Sequence, residues 1–293
     1  MDPFTSFLQN LSGGLLIGGI YALMGVGLAL IFGVMRIINF AHGEFVAVGM
    51  YAAIFLFQVY GLDPYVSMLI ALPAGFLLGV LLERVVLSRL VDSDGDSTLL
   101  ATLGLGLVLS NALFLIFGAE PESIYLPYAT TSINLAGVRL PIAQLLAAGV
   151  TLLVMAILYV FLNRTELGRA IRATAQNRIG AELVGVNTRR IHGLVFGIGV
   201  VLAMTAGMVL SPLLFAIPTI GHTYTLKAFV VIVLGGMGSI PGAIAGGLLL
   251  GVVEFLGASY FSSGYRDAYG LVAFLLILLL RPQGLFGRSV RRV

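Results

Sequence analysis

Long apolar runs alternate with short polar segments along this chain. The uncharged runs are Leu11–Met35, Phe45–Leu62, Tyr65–Leu82, Thr98–Ala119, Leu140–Asn163 and Gly193–Thr225, followed by Ala228–Val253 and a last run at about Ala268–Leu280. Most meet or approach the roughly 20 apolar residues that a helix needs to cross the hydrocarbon core of a bilayer. They are continuously apolar rather than alternating, which argues against a β-barrel. The run Ala228–Val253 is broken in its middle by Gly235-Gly236-Met237-Gly238-Ser239-Ile240-Pro241-Gly242. Counted as two passes, or as a re-entrant half-helix followed by a full pass, it brings the total to nine crossings. The expected fold is all-α: a polytopic transmembrane helical bundle with broken or re-entrant segments. No polar stretch is long enough for a second fold, so residues 1–293 read as one membrane domain.

Composition supports this class. Hydrophobic residues make up 59% of the chain and charged residues 10%, against about 45–50% and about 25% in soluble domains. The net charge of +3 could suggest nucleic acid, but the basic residues mark membrane topology instead. Thirteen of the 16 fall in four clusters: Arg36; Arg84 and Arg89; Arg164, Arg169, Arg172, Arg178, Arg189 and Arg190; and Arg281, Arg288, Arg291 and Arg292. Nine crossings put all four on the cytoplasmic side, as basic loops prefer. The N-terminus is then outside and the C-terminus inside, with Arg139, Lys227 and Arg266 outside. The first basic residue follows the first apolar segment, so the start does not read as a signal peptide.

Several chemistries are missing. There are no cysteines, hence no disulfide or thiolate site. The one lysine, Lys227, follows Leu226 rather than glycine, so a phosphate-binding loop is absent. No zinc or nucleophile-elbow motif occurs, and the three histidines lie far apart in sequence. Catalysis within this chain is not expected.

Three places remain of interest. In Asn163–Ile191, the positions Leu167, Ile171, Ala175, Ile179 and Leu183 repeat every four residues and predict one helical stripe. Thr165 and Glu166 suit its start and Gly185 its end. Such a helix, apolar on one side and arginine-rich on the other, can seat in a groove of another protein or rest on anionic lipid. Second, Asn39-Phe40-Ala41-His42-Gly43-Glu44 joins the first two spans. It reads either as a capped loop at the membrane edge or as a broken helix reaching into a translocation path. Third, the Gly235–Gly242 break reads either as close helix packing or as part of a transporter's central site. Glu254 reads as a structural hydrogen-bond partner of a neighbouring span.

These three segments, in this order and almost end to end, resemble the branched-chain amino-acid permease family of bacterial ABC importers, specifically its LivH-type subunit. Urea and short-amide permeases are close relatives that share versions of the motifs. The resemblance implies a permease domain over 1–293, with 163–191 as a cytoplasmic coupling region in the inner membrane. It implies a second, M-type permease subunit, two ATPase subunits that hold ATP-Mg, and a periplasmic substrate-binding protein. No cofactor is expected in this chain itself. Gly168, Arg169, Arg172, Asn177, Gly185 and Asn187 are the expected coupling residues. Asn39, His42, Glu44, Gly235, Gly236 and Gly238 are candidates for the pathway or its gate. An ion-coupled secondary transporter would use intramembrane carboxylates instead, for which Glu44, Glu83 and Glu254 are available. A passive channel would never carry uptake beyond equilibrium.

Overall fold

A computed structural model of the chain describes residues 2–90, 95–135, 137–281 and 283–286. Arg288, Arg291 and Arg292, part of the expected cytoplasmic tail, lie outside these residues. Eight helices among the described residues are long and apolar enough to cross a membrane, and one shorter apolar helix joins them. Eight long spans and one short apolar helix stand among the described residues where nine passes are expected, with different boundaries in the last third of the chain.

Helix α1 (Pro3–Met35) is the axis of the bundle. It is apolar all round, as a helix enclosed by others must be, and most of its second half is buried. Along one side it meets α10 (Ile240–Tyr260) through a seam of glycines. A Cβ added at Gly14 would lie 2.8 Å from Val252 Cα, and one at Gly18 2.9 Å from Leu248 Cα. Small residues allow backbones this close, which is how helices gain packing energy where lipid removes the hydrophobic drive. Along another side α1 meets α8 (Thr188–Leu210), with Gly27 against the Gly199 carbonyl. Helix α2 (His42–Tyr60) crosses α8 where Gly49 faces Met204 and Gly207 faces Val46. Helix α3 (Pro64–Val85) packs on α8 through Gly79 and Gly197.

Helices α4 (Gly95–Phe117), α5 (Ile142–Arg164) and α11 (Arg266–Leu280) lie on the periphery, with outward faces rich in exposed leucine, isoleucine and valine. The segment between α4 and α5 contains an antiparallel hairpin, β1 (Ser132–Leu135) and β2 (Val138–Pro141), paired from Ser132↔Pro141 to Leu135↔Val138. Gln9 ties it to α1 by accepting from the Arg139 amide at 2.7 Å and donating to the Arg139 carbonyl at 2.6 Å. Tyr128 donates to Asp63 at 2.6 Å. Burial, and then this bond to the carboxylate, push the Tyr128 hydroxyl above its ordinary pKa.

Two boundaries differ from the sequence reading. Lys227 does not sit in an outer loop. It lies inside α9 (Ile220–Gly235), and it is buried. Helix α9 starts within what reads as the sixth apolar run, so the charge of Lys227 does not mark a loop. Pro241 does not interrupt a helix either. It occupies the first turn of α10, where its missing N–H is harmless, behind Ser239, whose hydroxyl caps the Gly242 amide at 3.1 Å.

Candidate functional site

The segment expected to couple to a partner lies at one end of the bundle. It is not one helix but two: α6 (Glu166–Gln176) and α7 (Arg178–Leu183). Thr165 caps α6 by accepting from Gly168 N at 3.0 Å, as its position predicts. Asn177 then leaves helical geometry, and its side chain accepts from Gly180 N at 2.9 Å to start α7. The four-residue stripe is therefore split: Ile171 is buried, while Ile179 and Leu183 are 71% and 83% exposed. Gly185 ends the unit with φ +89, a left-handed conformation that suits glycine. Asn187 caps α8 through Arg190 N at 3.1 Å. Gly168 packs against the carbonyls of Phe161 and Leu162, leaving no room for a side chain. Arg169 pairs with Glu166 at 3.3 Å on the surface. Arg172 is half-buried, and its Nη1 has no hydrogen-bond partner among the described residues.

Asn39, His42 and Glu44 gather deeper in the bundle. Helix α1 ends at Arg36 in a left-handed conformation (φ 59), and the chain doubles back. Residues 37–41 carry it toward the middle of the bundle before α2 begins. Asn39 Oδ1 accepts from Ala41 N at 3.1 Å. His42 Nε2 lies 3.0 Å from the Met24 carbonyl, near the centre of the apolar run of α1. A carbonyl only accepts, so Nε2 carries the proton and Nδ1, buried without a partner, is the bare nitrogen.

The start of α9 arrives at the same place. Gly43 N donates to Thr225 Oγ1 at 3.0 Å, and Thr225 donates to the Phe40 carbonyl at 3.2 Å. Phe40 stacks on Phe229 with ring centroids 4.8 Å apart. Ser110 of α4 holds the Pro218 carbonyl at 3.1 Å, fixing the approach to α9. The Glu44 carboxylate lies over Gly221 and 3.1 Å from His222 Nδ1. Two helix starts, each with a partial positive charge, thus converge on one carboxylate. The break that meets residues 40–44 is the one before Ile220, not Gly235–Gly242.

Gly235, Gly236 and Gly238 lie elsewhere. They form the turn between α9 and α10, with Gly236 and Gly238 at φ 102 and 79. Gly238 abuts Gly33, which is roughly 13 Å further along α1 than Met24 at 1.5 Å per residue. Leu285 N and Phe286 N close over this turn through the Leu234 and Gly235 carbonyls.

Sequence reasoning missed His222 and Thr225. The available signal was a cluster of polar groups (His222, Thr223, Thr225 and Lys227) shortly after Pro218 in an otherwise apolar stretch. Glu254 is a structural partner, as expected. It accepts from Tyr21 at 2.9 Å and pairs with Lys227, which also reaches Asp267 at 2.8 Å. Arg266 Nε stands 3.5 Å from Glu254. Two bases and two acids thus meet between α1, α9, α10 and α11.

Residues 10–280 match the family model described as "Branched-chain amino acid transport system / permease component". The high-affinity branched-chain amino acid transport system permease protein BraD of Pseudomonas aeruginosa is 38% identical, over 98% of this chain and 98% of its own. The protein of that system named LivH in Escherichia coli K12 is 32% identical, over 98% and 97%. The E. coli permease protein LivM is 28% identical, over 91% of this chain and 67% of its own. With this fold, and with similarity along nearly its whole length, the chain is a multi-pass membrane protein that belongs to the branched-chain amino acid transport permease family.

Proposed function

We propose that this chain is the transmembrane permease subunit of an ATP-binding-cassette importer that moves leucine, isoleucine, valine or related neutral amino acids into the cytoplasm. The observation that carries the proposal is the near full-length similarity to permeases named for high-affinity branched-chain amino acid transport. The similarity to LivM supports a second, related permease subunit as its partner. ATP-Mg binds and is hydrolysed in two separate ATPase subunits, and a periplasmic protein delivers the substrate.

In this reading α6 and α7 face the cytoplasm and meet the ATPases, with the N-terminus outside. Ile179, Leu183 and Val184 form an exposed apolar patch beside Arg169 and Arg178, suited to a groove on a partner. ATP binding closes the ATPase pair, and the seated α6–α7 unit carries that movement to α5 and α8, between which it is strung. Nucleotide shifts the balance of inward- and outward-open states only through its differential affinity for them.

The test is uptake by proteoliposomes holding the chain with its second permease, ATPases and binding protein. Accumulation of labelled leucine above the external concentration, dependent on enclosed ATP and insensitive to an uncoupler, is expected. Uptake that survives without ATP but collapses with the uncoupler would overturn the proposal in favour of ion coupling. Preference for urea over leucine would overturn the substrate assignment.

A further inference from the structure

His222 stands where an exposed imidazole needs an explanation. Its partner Glu44 lies in the first turn of α2, two residues after His42, whose ring meets the Met24 carbonyl near the middle of the apolar run of α1. Helix α9 has 16 residues, roughly 24 Å at 1.5 Å per residue, against a hydrocarbon core of about 30 Å. It starts inside the bundle and ends at Gly235, near the end of α1. The His222 side chain is nevertheless 57% exposed at that depth. A polar group there faces a protein neighbour or a water-filled passage, because lipid offers it no partner. Thr223 and Leu226 are exposed beside it, Leu226 one helical turn further along the same face.

Behind the imidazole, Glu44 is 1% exposed. Among the described residues neither of its oxygens receives a hydrogen bond of normal geometry, and His222 Nδ1 at 3.1 Å is its one ionic neighbour. The two helix starts that converge on it favour negative charge. This is a buried carboxyl group behind a single side chain, beside an exposed face. Its complement is a cationic donor.

We propose that the Glu44–His222 pair receives the α-ammonium group of the substrate in mid-passage, while Leu226 faces the apolar tail. The inference rests on the amino-acid permease reading above. It adds a selectivity: a neutral amide such as urea brings no cation to the carboxylate, and leaves it unpaired in a poorly hydrated place.

The chain has no cysteine, so in the assembled complex a single introduced thiol can be labelled specifically on this subunit. H222C is expected to react with a water-soluble cationic thiol reagent and to be protected when leucine is supplied with its binding protein. E44Q is expected to lose roughly tenfold to a hundredfold in leucine uptake, the scale of one hydrogen bond to a charged group, with assembly of the complex kept. Wild-type transport together with an H222C that never reacts, or reacts equally with and without leucine, overturns the proposal; so does wild-type uptake by E44Q. A wild-type complex that moves no amino acid overturns the permease reading itself.

Discussion

Lys227 is the chain's one lysine, and its ammonium is enclosed by Glu254, Asp267 and the ring of Tyr21 at 4.9 Å. Removing one member of a buried pair can cost about 3–5 kcal/mol, less here because Arg266 and Tyr21 stay beside Glu254. K227M should therefore lower the thermal stability of the purified protein, and K227M/E254Q should recover most of the loss. A double variant no better than the single would show that Lys227 acts by packing alone. Asp267 is 68% exposed and can be solvated without its partner. Lys227 also shows why charge is an ambiguous signal in a membrane chain. A lone lysine reads as a loop unless the two acids that neutralise it, 27 and 40 residues further on, are known to be neighbours.

At the scale of the element, α6 and α7 owe their geometry to Asn177. Its cap on Gly180 is worth about 1 kcal/mol, within a range of roughly 0.5–2 for such residues. N177A is expected to loosen α7 and reduce transport-coupled ATP hydrolysis, whereas N177D keeps a capping oxygen and should keep coupling. Hydrogen exchange at α7 amides would report the loosening directly. Much of this unit is legible in the sequence: Thr165 as a start and Gly185 as an end. The break is not, because the apolar repeat from Leu167 to Leu183 keeps its four-residue step through Asn177. Periodicity records spacing and is blind to a capping side chain that restarts the count. The pathway candidates divide in the same way. Asn39, His42 and Glu44 stand out as polar residues between apolar runs, but their counterpart His222 lies 178 positions from Glu44. Only the two doubled-back segments bring them together.

For the whole molecule, the proposed coupling would pass from the α6–α7 unit through the bundle. R172E puts a carboxylate where the guanidinium is half-buried at that junction. It should abolish uptake in the complete complex while membrane insertion stays normal. Full uptake by R172E would remove Arg172 from the coupling surface. The bundle has few independent layers through which the signal can travel. Helix α1 touches α5, α8, α9 and α10, and the glycine seam with α10 holds it at backbone distance, so α1 and α10 are expected to move together.

That same seam sets a problem of timing during biosynthesis. Helix α1 leaves the ribosome well before α10, yet α10 covers the face that carries Gly14, Gly18 and Tyr21, with Tyr21 and Glu254 separated by 233 residues. At a synthesis rate of about 5–20 residues per second the wait is roughly 10–50 s. Through that interval the central helix of the finished protein is an unfinished surface in the bilayer, dependent on the insertion machinery for cover. A chain cut short before Ile240 would keep its first helix permanently in that state, inserted but unenclosed, and open to the proteases that clear orphaned membrane segments.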